Sequence, residues 1–219
     1  MKYLNSLLCL LVPGSSSVLA GMYVRAFAVP AIGLSMVFLF SITRWVVTPS
    51  GFAAMLVVLV AWHFISYWIG ILAISENKLT RRYQALTLIA LVAVNLSIIV
   101  SSHLYKAQIF GFSFYHIPSP SMEPTLQVGD VVLVNTWDTA SADRKVIVVK
   151  RHQHGIVLAK RITKIRRASD GLEIFIGGDN SLRSIDSRKF GWIAEDNIIA
   201  KVEFVWFSFR GSRWFQSIK

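Results

Sequence analysis

Charged side chains are sparse in the first 104 residues and frequent afterwards, so the hydrophobic pattern divides the chain near Leu104. Up to that point the ionised side chains are Lys2, Arg25, Arg44, Glu76, Lys78, Arg81 and Arg82, and three long apolar stretches lie among them, residues 27–43, 51–74 and 84–104. Each is close to the ~20 mostly apolar residues that a hydrocarbon core demands, the first being the shortest and carrying Pro30. Residues 1–104 therefore read as a membrane module. A fourth apolar stretch, 4–12, is too short to cross alone and stops at Pro13-Gly14 and the run Ser15-Ser16-Ser17. Segment 4–20 is expected to be interfacial or re-entrant.

Beyond Leu104 the period shortens to that of strands. Residues 131–135, 146–150, 156–165, 173–176 and 198–209 are rich in β-branched side chains and separated by turn residues, with turns expected at Asp170-Gly171 and Gly177-Gly178. Residues 105–219 thus predict a small, mainly β domain, joined to the last span by a short linker at 105–114. Basic loops stay on the cytoplasmic side, and loop 75–83 carries Lys78, Arg81 and Arg82 against Arg44 alone in the loop before it. That asymmetry puts the β domain on the outer, extracytoplasmic face. A rival reading takes Lys2, the 7–12 run and Val18-Leu19-Ala20 as a cleaved secretory signal. Cleavage after Ala20 would send the C-terminal half to the cytoplasm, against the basic loop.

Three local segments carry chemistry. Ile117-Pro118-Ser119-Pro120-Ser121-Met122-Glu123-Pro124-Thr125-Leu126 places three prolines within seven residues, which excludes regular helix and holds the Ser121 hydroxyl at a rigid site. The alternative is a Ser/Pro-rich linker, though a linker is not normally followed at once by an apolar strand such as 131–134. Ile156-Val157-Leu158-Ala159-Lys160-Arg161-Ile162, if extended, puts Lys160 on the face of Ile156, Leu158 and Ile162 and turns Arg161 away. Loss of water lowers the pKa of such an amine and makes it a general base; the alternative is a lysine whose stem covers apolar surface while its ammonium reaches solvent. The third segment, 178–191, is dense in Gly, Asp, Asn and Ser and by itself predicts a structured loop.

In this order the three segments resemble the bacterial type I signal peptidases, the Ser/Lys leader peptidases of the S26 family. Residues 118–126 resemble the nucleophile box with Gly129-Asp130 after it, Lys160-Arg161 the general-base box, and Gly178-Asp179-Asn180 with Ser184, Asp186, Ser187, Arg188 and Gly191 the last box. The resemblance implies a signal-peptidase-type β domain and a membrane-bound serine endopeptidase that removes signal peptides from exported preproteins through an acyl-enzyme. It implies Ser121 as nucleophile and Lys160 as base. Ser119 would donate to the oxyanion beside the Ser121 N–H, Ser184 would orient Lys160, and Asp186 and Arg188 would form a supporting ion pair. Tyr115, Ile117, Met122, Leu126, Leu158 and Ala159 would line the substrate groove. No cofactor or metal enters.

Departures from the family pattern are visible. After Lys160-Arg161 the chain lacks the Gly-Leu-Pro-Gly-Asp that often follows, Ser181-Leu182-Arg183 stands where many members carry Arg-Asp-Asn, and Ala159 stands where many carry a bulkier apolar residue. The membrane module is also larger than one or two spans. Two other functions remain open on the sequence: a Ser/Lys peptidase dedicated to one partner such as a conjugation or pilus subunit, and a non-catalytic membrane assembly factor.

Composition agrees with a membrane protein. Of the 219 residues 54% are hydrophobic and 16% charged, and mean hydropathy is +0.53, which rules out a wholly soluble chain. The formal charge of +11 favours acidic partners. For an exterior domain bearing Lys164, Arg166 and Arg167 the partner is anionic lipid rather than nucleic acid. Cys9 alone excludes an internal disulfide framework or a Cys-rich metal site. His152 and His154 lack a carboxylate or cysteine companion and read as loop histidines, and no spacing brings His116 or His152 to Ser121 as a triad. His63 and Asn95, inside spans, read as polar packing residues. Trp206, Phe207, Phe209, Trp214 and Phe215 fit either interfacial anchoring or core packing.

Overall fold

The computed structural model describes residues 9–73, 81–151, 156–211 and 213–218. The start of segment 4–20, the basic loop around Lys78, and His152 and His154 lie outside the described residues. Two compact units are present: the chain up to Arg44 with Gly51–Phe110, and Trp45–Ser50 with the chain from Gly111 onward.

The first unit is helical. After the short helix α1 (Ser15–Leu19) come α2 (Tyr23–Ile42), α3 (Pro49–Leu72) and α4 (Arg81–Ile109), each long and apolar enough to cross a membrane. Outward-facing residues such as Val57, Trp68, Ile89 and Ile99 leave apolar surface that water would not tolerate, so this unit associates with a membrane. Helix α4 runs five residues past the expected span, and strand β1 begins at Phe112. The expected linker at 105–114 is therefore mostly helix end and strand.

Polar groups inside this unit satisfy the irregular backbone before α2. Ser15, Ser16, Ser17 and Val18 of α1 are buried. The Ser16 hydroxyl donates to the Ser66 carbonyl at 3.3 Å, Asn95 donates to the carbonyls of Leu91 at 2.9 Å and Pro13 at 3.4 Å, and His63 Nε2 lies 2.7 Å from the Leu10 carbonyl. Pro30 has no N–H and so frees the Ala26 carbonyl four residues earlier. Gly14, at φ +89°, packs onto that carbonyl, where any side chain would collide with it.

The second unit is a curled antiparallel sheet with β1 (Phe112–His116), β2 (Asp130–Asn135), β3 (Val146–Arg151), β4 (Ile156–Ala168), β5 (Gly171–Gly177), β6 (Ile193–Ala194), β7 (Ile198–Ser208) and β8 (Trp214–Ser217). The order is β1-β2-β7-β3-β4-β5-β6, with β8 also on β7. All five expected strands form. The three missed ones are short or sit at chain junctions where periodicity has no room to show.

Strand β3 explains the two-sided core. Val146 and Val148 face a cluster with Ile117, Met122, Leu126, Val132 and Val205, whereas Ile147 and Val149 face Ile162, Ile174, Ile176 and Ile198. Both faces of the central sheet are buried, so the run Val146-Ile147-Val148-Val149 is continuously apolar rather than alternating. The aromatic tail also divides: Phe215 stacks on Phe204 and Trp206 packs at a tilt against Phe114, while Phe209 and Trp214 remain largely exposed.

Candidate active site

The proline-rich segment leaves β1 and returns to β2 as a tight loop. Ser119 is extended (φ −124°, ψ 143°) and caps a single 3₁₀ turn, Pro120–Met122, with Pro120 in the first turn position, where its missing N–H costs nothing. The Ser121 N–H donates to Ser119 Oγ at 3.3 Å. Met122 and Leu126 anchor the loop from inside, since both are fully buried and the Leu126 N–H donates to the Met122 carbonyl. The far end is pinned by buried Asp130, which accepts from the Gln127 N–H at 2.9 Å and from Arg213 at 2.8 Å, while Arg213 also donates to the Thr125 carbonyl at 2.8 Å.

Strand β4 brings Lys160 to this loop. Paired opposite Ile147 and flanked on its face by Leu158 and Ile162, Lys160 is only 2% exposed, and its Nζ lies 2.6 Å from Ser121 Oγ, itself 8% exposed. Burial lowers the Lys160 pKa below the ordinary lysine value and outweighs the opposing pull of Asp186 and Asp179; Arg188 adds to the lowering. Such an amine is neutral over more of the pH scale than a solvated one, and at this distance it can take the Ser121 proton.

The third segment wraps behind the pair. Asp186 is completely buried and accepts from Ser184 Oγ at 2.6 Å, the Gly178 N–H at 2.9 Å, the Arg188 N–H at 3.2 Å and the Arg188 guanidinium at 2.6 and 2.8 Å. Burial alone would raise this carboxyl, but the donors from Arg188, Ser184 and Gly178 outweigh it and hold the pKa well below the usual carboxylate range. Gly178 has no room for a side chain: a Cβ would fall on Ser184 Oγ and the Ser121 carbonyl. The Asn180 N–H donates to that same carbonyl at 3.1 Å and ties the segment to the Ser121 loop. Ser184, expected to orient Lys160, donates its hydroxyl proton to the Asp186 carboxylate, and its oxygen keeps lone pairs that can accept from an amine.

A hollow of about 370 Å³ opens beside the pair. Of the residues expected to line a substrate groove, Tyr115, Ile117, Met122, Leu158 and Ala159 line this hollow, together with Ser119, Ser121 and Lys160. Leu126 does not. It sits fully buried in the core cluster with Ile117 and Met122, because the turn after Pro124 directs it under the loop. Sequence reasoning assigned no role to Arg161 and Asp179, which form a two-pronged pair at 2.8 Å for both contacts, with Arg161 also donating to the Arg144 carbonyl and Thr125. The alternation that put Lys160 inward also sent Arg161 to the other face; its partner, 18 residues away, had no local signal.

Among the described residues no group of three or more His, Cys, Asp or Glu side chains could hold a metal ion. No curated protein matches the chain. The family model for signal peptidase, peptidase S26, matches residues 80–165 and 170–207, a span that takes in the long apolar helix α4, the Ser121 loop, Lys160 and the Asp186 cluster. That match covers more than half of the 219 residues, and the chain is accordingly a member of the signal peptidase family, peptidase S26.

Proposed function

We propose that the protein is a membrane-bound serine endopeptidase that removes signal peptides from exported preproteins through a Ser121–Lys160 dyad. The observation that carries this reading is the 2.6 Å approach of a buried, charge-disfavoured amine to a hydroxyl in a groove able to hold a peptide.

The proposed steps balance on this chain's own groups. Neutral Lys160 removes the Ser121 proton as Oγ attacks the carbonyl before the cut, giving a tetrahedral oxyanion. The Ser121 N–H and Ser119 hydroxyl, 3.3 Å apart as N–H···Oγ, exchange their mutual bond for one from each to that oxyanion. Collapse breaks the C–N bond, the Lys160 ammonium returns its proton to the departing amine, and an acyl-Ser121 ester remains. Lys160 then deprotonates water as it attacks the ester carbonyl; collapse breaks the C–Oγ bond, the Lys160 ammonium returns the proton to Ser121 Oγ, and the leader departs as its carboxylic acid, which ionises in water. Ser184 and Asp186 act behind Lys160, with Asp186 holding Ser184 and Gly178 in place and Arg188 offsetting its charge. Tyr115, Ile117, Leu158 and Ala159 hold the small apolar residues that precede the cut.

The same reading places the protein in a bacterial inner membrane as a multi-pass chain, its β domain on the periplasmic or outer face where leaders emerge. Whether substrates are many preproteins or one dedicated partner follows from the same assay: purified full chain in detergent with a panel of preproteins, comparing wild type with Ser121→Ala and Lys160→Ala. Loss of cleavage in both folded variants is expected. Cleavage retained in either one overturns the dyad.

A further inference from the structure

A second hollow of about 500 Å³ also adjoins the Ser121 loop, lined by Pro120, Glu123, Gln127, Arg183 and Arg210 among others. It differs in chemistry from the first. Around Ser121 and Lys160 the walls include Tyr115, Ile117, Leu158 and Ala159, whereas here the lining holds two arginines and one glutamate. Arg183 lines both hollows, and Pro120 adjoins Ser121 in sequence. Arg183 and Arg210 are both exposed, and among the described residues neither enters an ion pair. Arg183 also stands where the sequence departs from the family pattern.

We propose that this second hollow receives the first residues after the cut and that Arg183 and Arg210 favour substrates carrying Asp or Glu there. The inference rests on the peptidase reading. A chain held in the apolar hollow with its scissile carbonyl at Ser121 extends past Arg183 into the polar one. The leader side is then read by fit, and the mature side by charge. Glu123 leaves the hollow with a net single positive charge, enough to prefer an anion and to disfavour lysine. Leu182 and Phe209, each adjacent in sequence to one of these arginines, are 96% and 72% exposed, a pattern that also suits anionic lipid headgroups. The sharing of Arg183 with the catalytic hollow favours the peptide, because only a chain continuous with the substrate occupies both.

The test uses purified full chain in detergent and peptides with one leader and Ala, Glu or Lys at the first four positions after the cut. For wild type, kcat/KM for the Glu series is expected to exceed that for the Lys series about tenfold, at roughly threefold per exposed arginine pair. The ratio shrinks as salt rises. Arg183→Gln is expected to reduce it about threefold, and the Arg183→Glu, Arg210→Glu double variant to bring it below one. A wild-type ratio near one, with the Ala series cleaved in a Ser121-dependent way, overturns this inference and leaves the peptidase reading standing. Absence of cleavage in all three series overturns both. If the variants differ from wild type only with anionic vesicles present, and equally for all three series, the arginines bind headgroups and the inference fails.

Discussion

Replacing Asp186 with alanine removes the acceptor of five hydrogen bonds at a fully buried position. The Gly178 N–H, half-buried, and the Ser184 hydroxyl, buried, lose their partner, at about 1–2 kcal/mol each. The helix α5 (Ser187–Phe190) loses its N-cap bond from the Arg188 N–H, at about 1 kcal/mol. The Arg188 guanidinium is half exposed and returns to water, so its loss adds little. The total is about 4 kcal/mol, which for a unit of about 110 residues lowers the melting temperature by roughly 15 °C.

Because the folded Asp186 carboxyl sits below its unfolded value, its stabilisation is complete above about pH 4 and is lost as pH falls through the folded pKa. The gap between wild type and variant therefore closes only in acid. Asp186 also raises the Lys160 pKa against the larger effect of burial. Its removal moves the acid limb of kcat/KM to lower pH. Asp186→Asn separates the two effects: one acceptor oxygen survives, so about half of the stability returns, but the charge is gone and the shifted limb remains. Thermal melts of the full chain in detergent and a pH–rate profile on one peptide measure both. Unchanged melting in Asp186→Ala, or a limb that moves to higher pH, refutes the reasoning.

Ser119→Ala is expected to lower kcat about 10²–10³-fold with KM little changed, read from initial rates, since in the proposed mechanism its hydroxyl acts on charge that develops only in the transition state. Gly178→Ala drives a methyl onto Ser184 and the Ser121 carbonyl and is expected to reduce kcat/KM at least tenfold with a lower melting temperature. Ala159, small and set in the groove wall, predicts tolerance of larger aliphatic residues at the third position before the cut. Ala159→Leu should narrow that preference, and a strict Ala preference by the wild type in a peptide series counts against it.

The three long apolar helices and five of the strands are legible in the sequence because their signals are local: runs of about 20 apolar residues, or β-branched runs between turn residues. Boundaries were less so. The 105–114 stretch reads in the sequence as a short linker after the last span, whereas hydrogen bonding carries α4 to Ile109 and starts β1 at Phe112. Inward Lys160 followed from the strand period, but Leu126 was misplaced as a groove residue because no periodicity governs a proline-rich loop, and its burial is decided by what lies beneath.

The sequence by itself determined the partition into membrane and β units, the apolar company of Lys160 and the rigidity around Ser121, since all depend on near neighbours along the chain. Tertiary structure alone decided that Lys160 meets Ser121 across 39 residues, that Ser184 serves Asp186, and that Arg161 grips Asp179. Those pairings join groups from separate strands and loops, and which donor reaches which acceptor depends on sheet register and on how completely water is excluded.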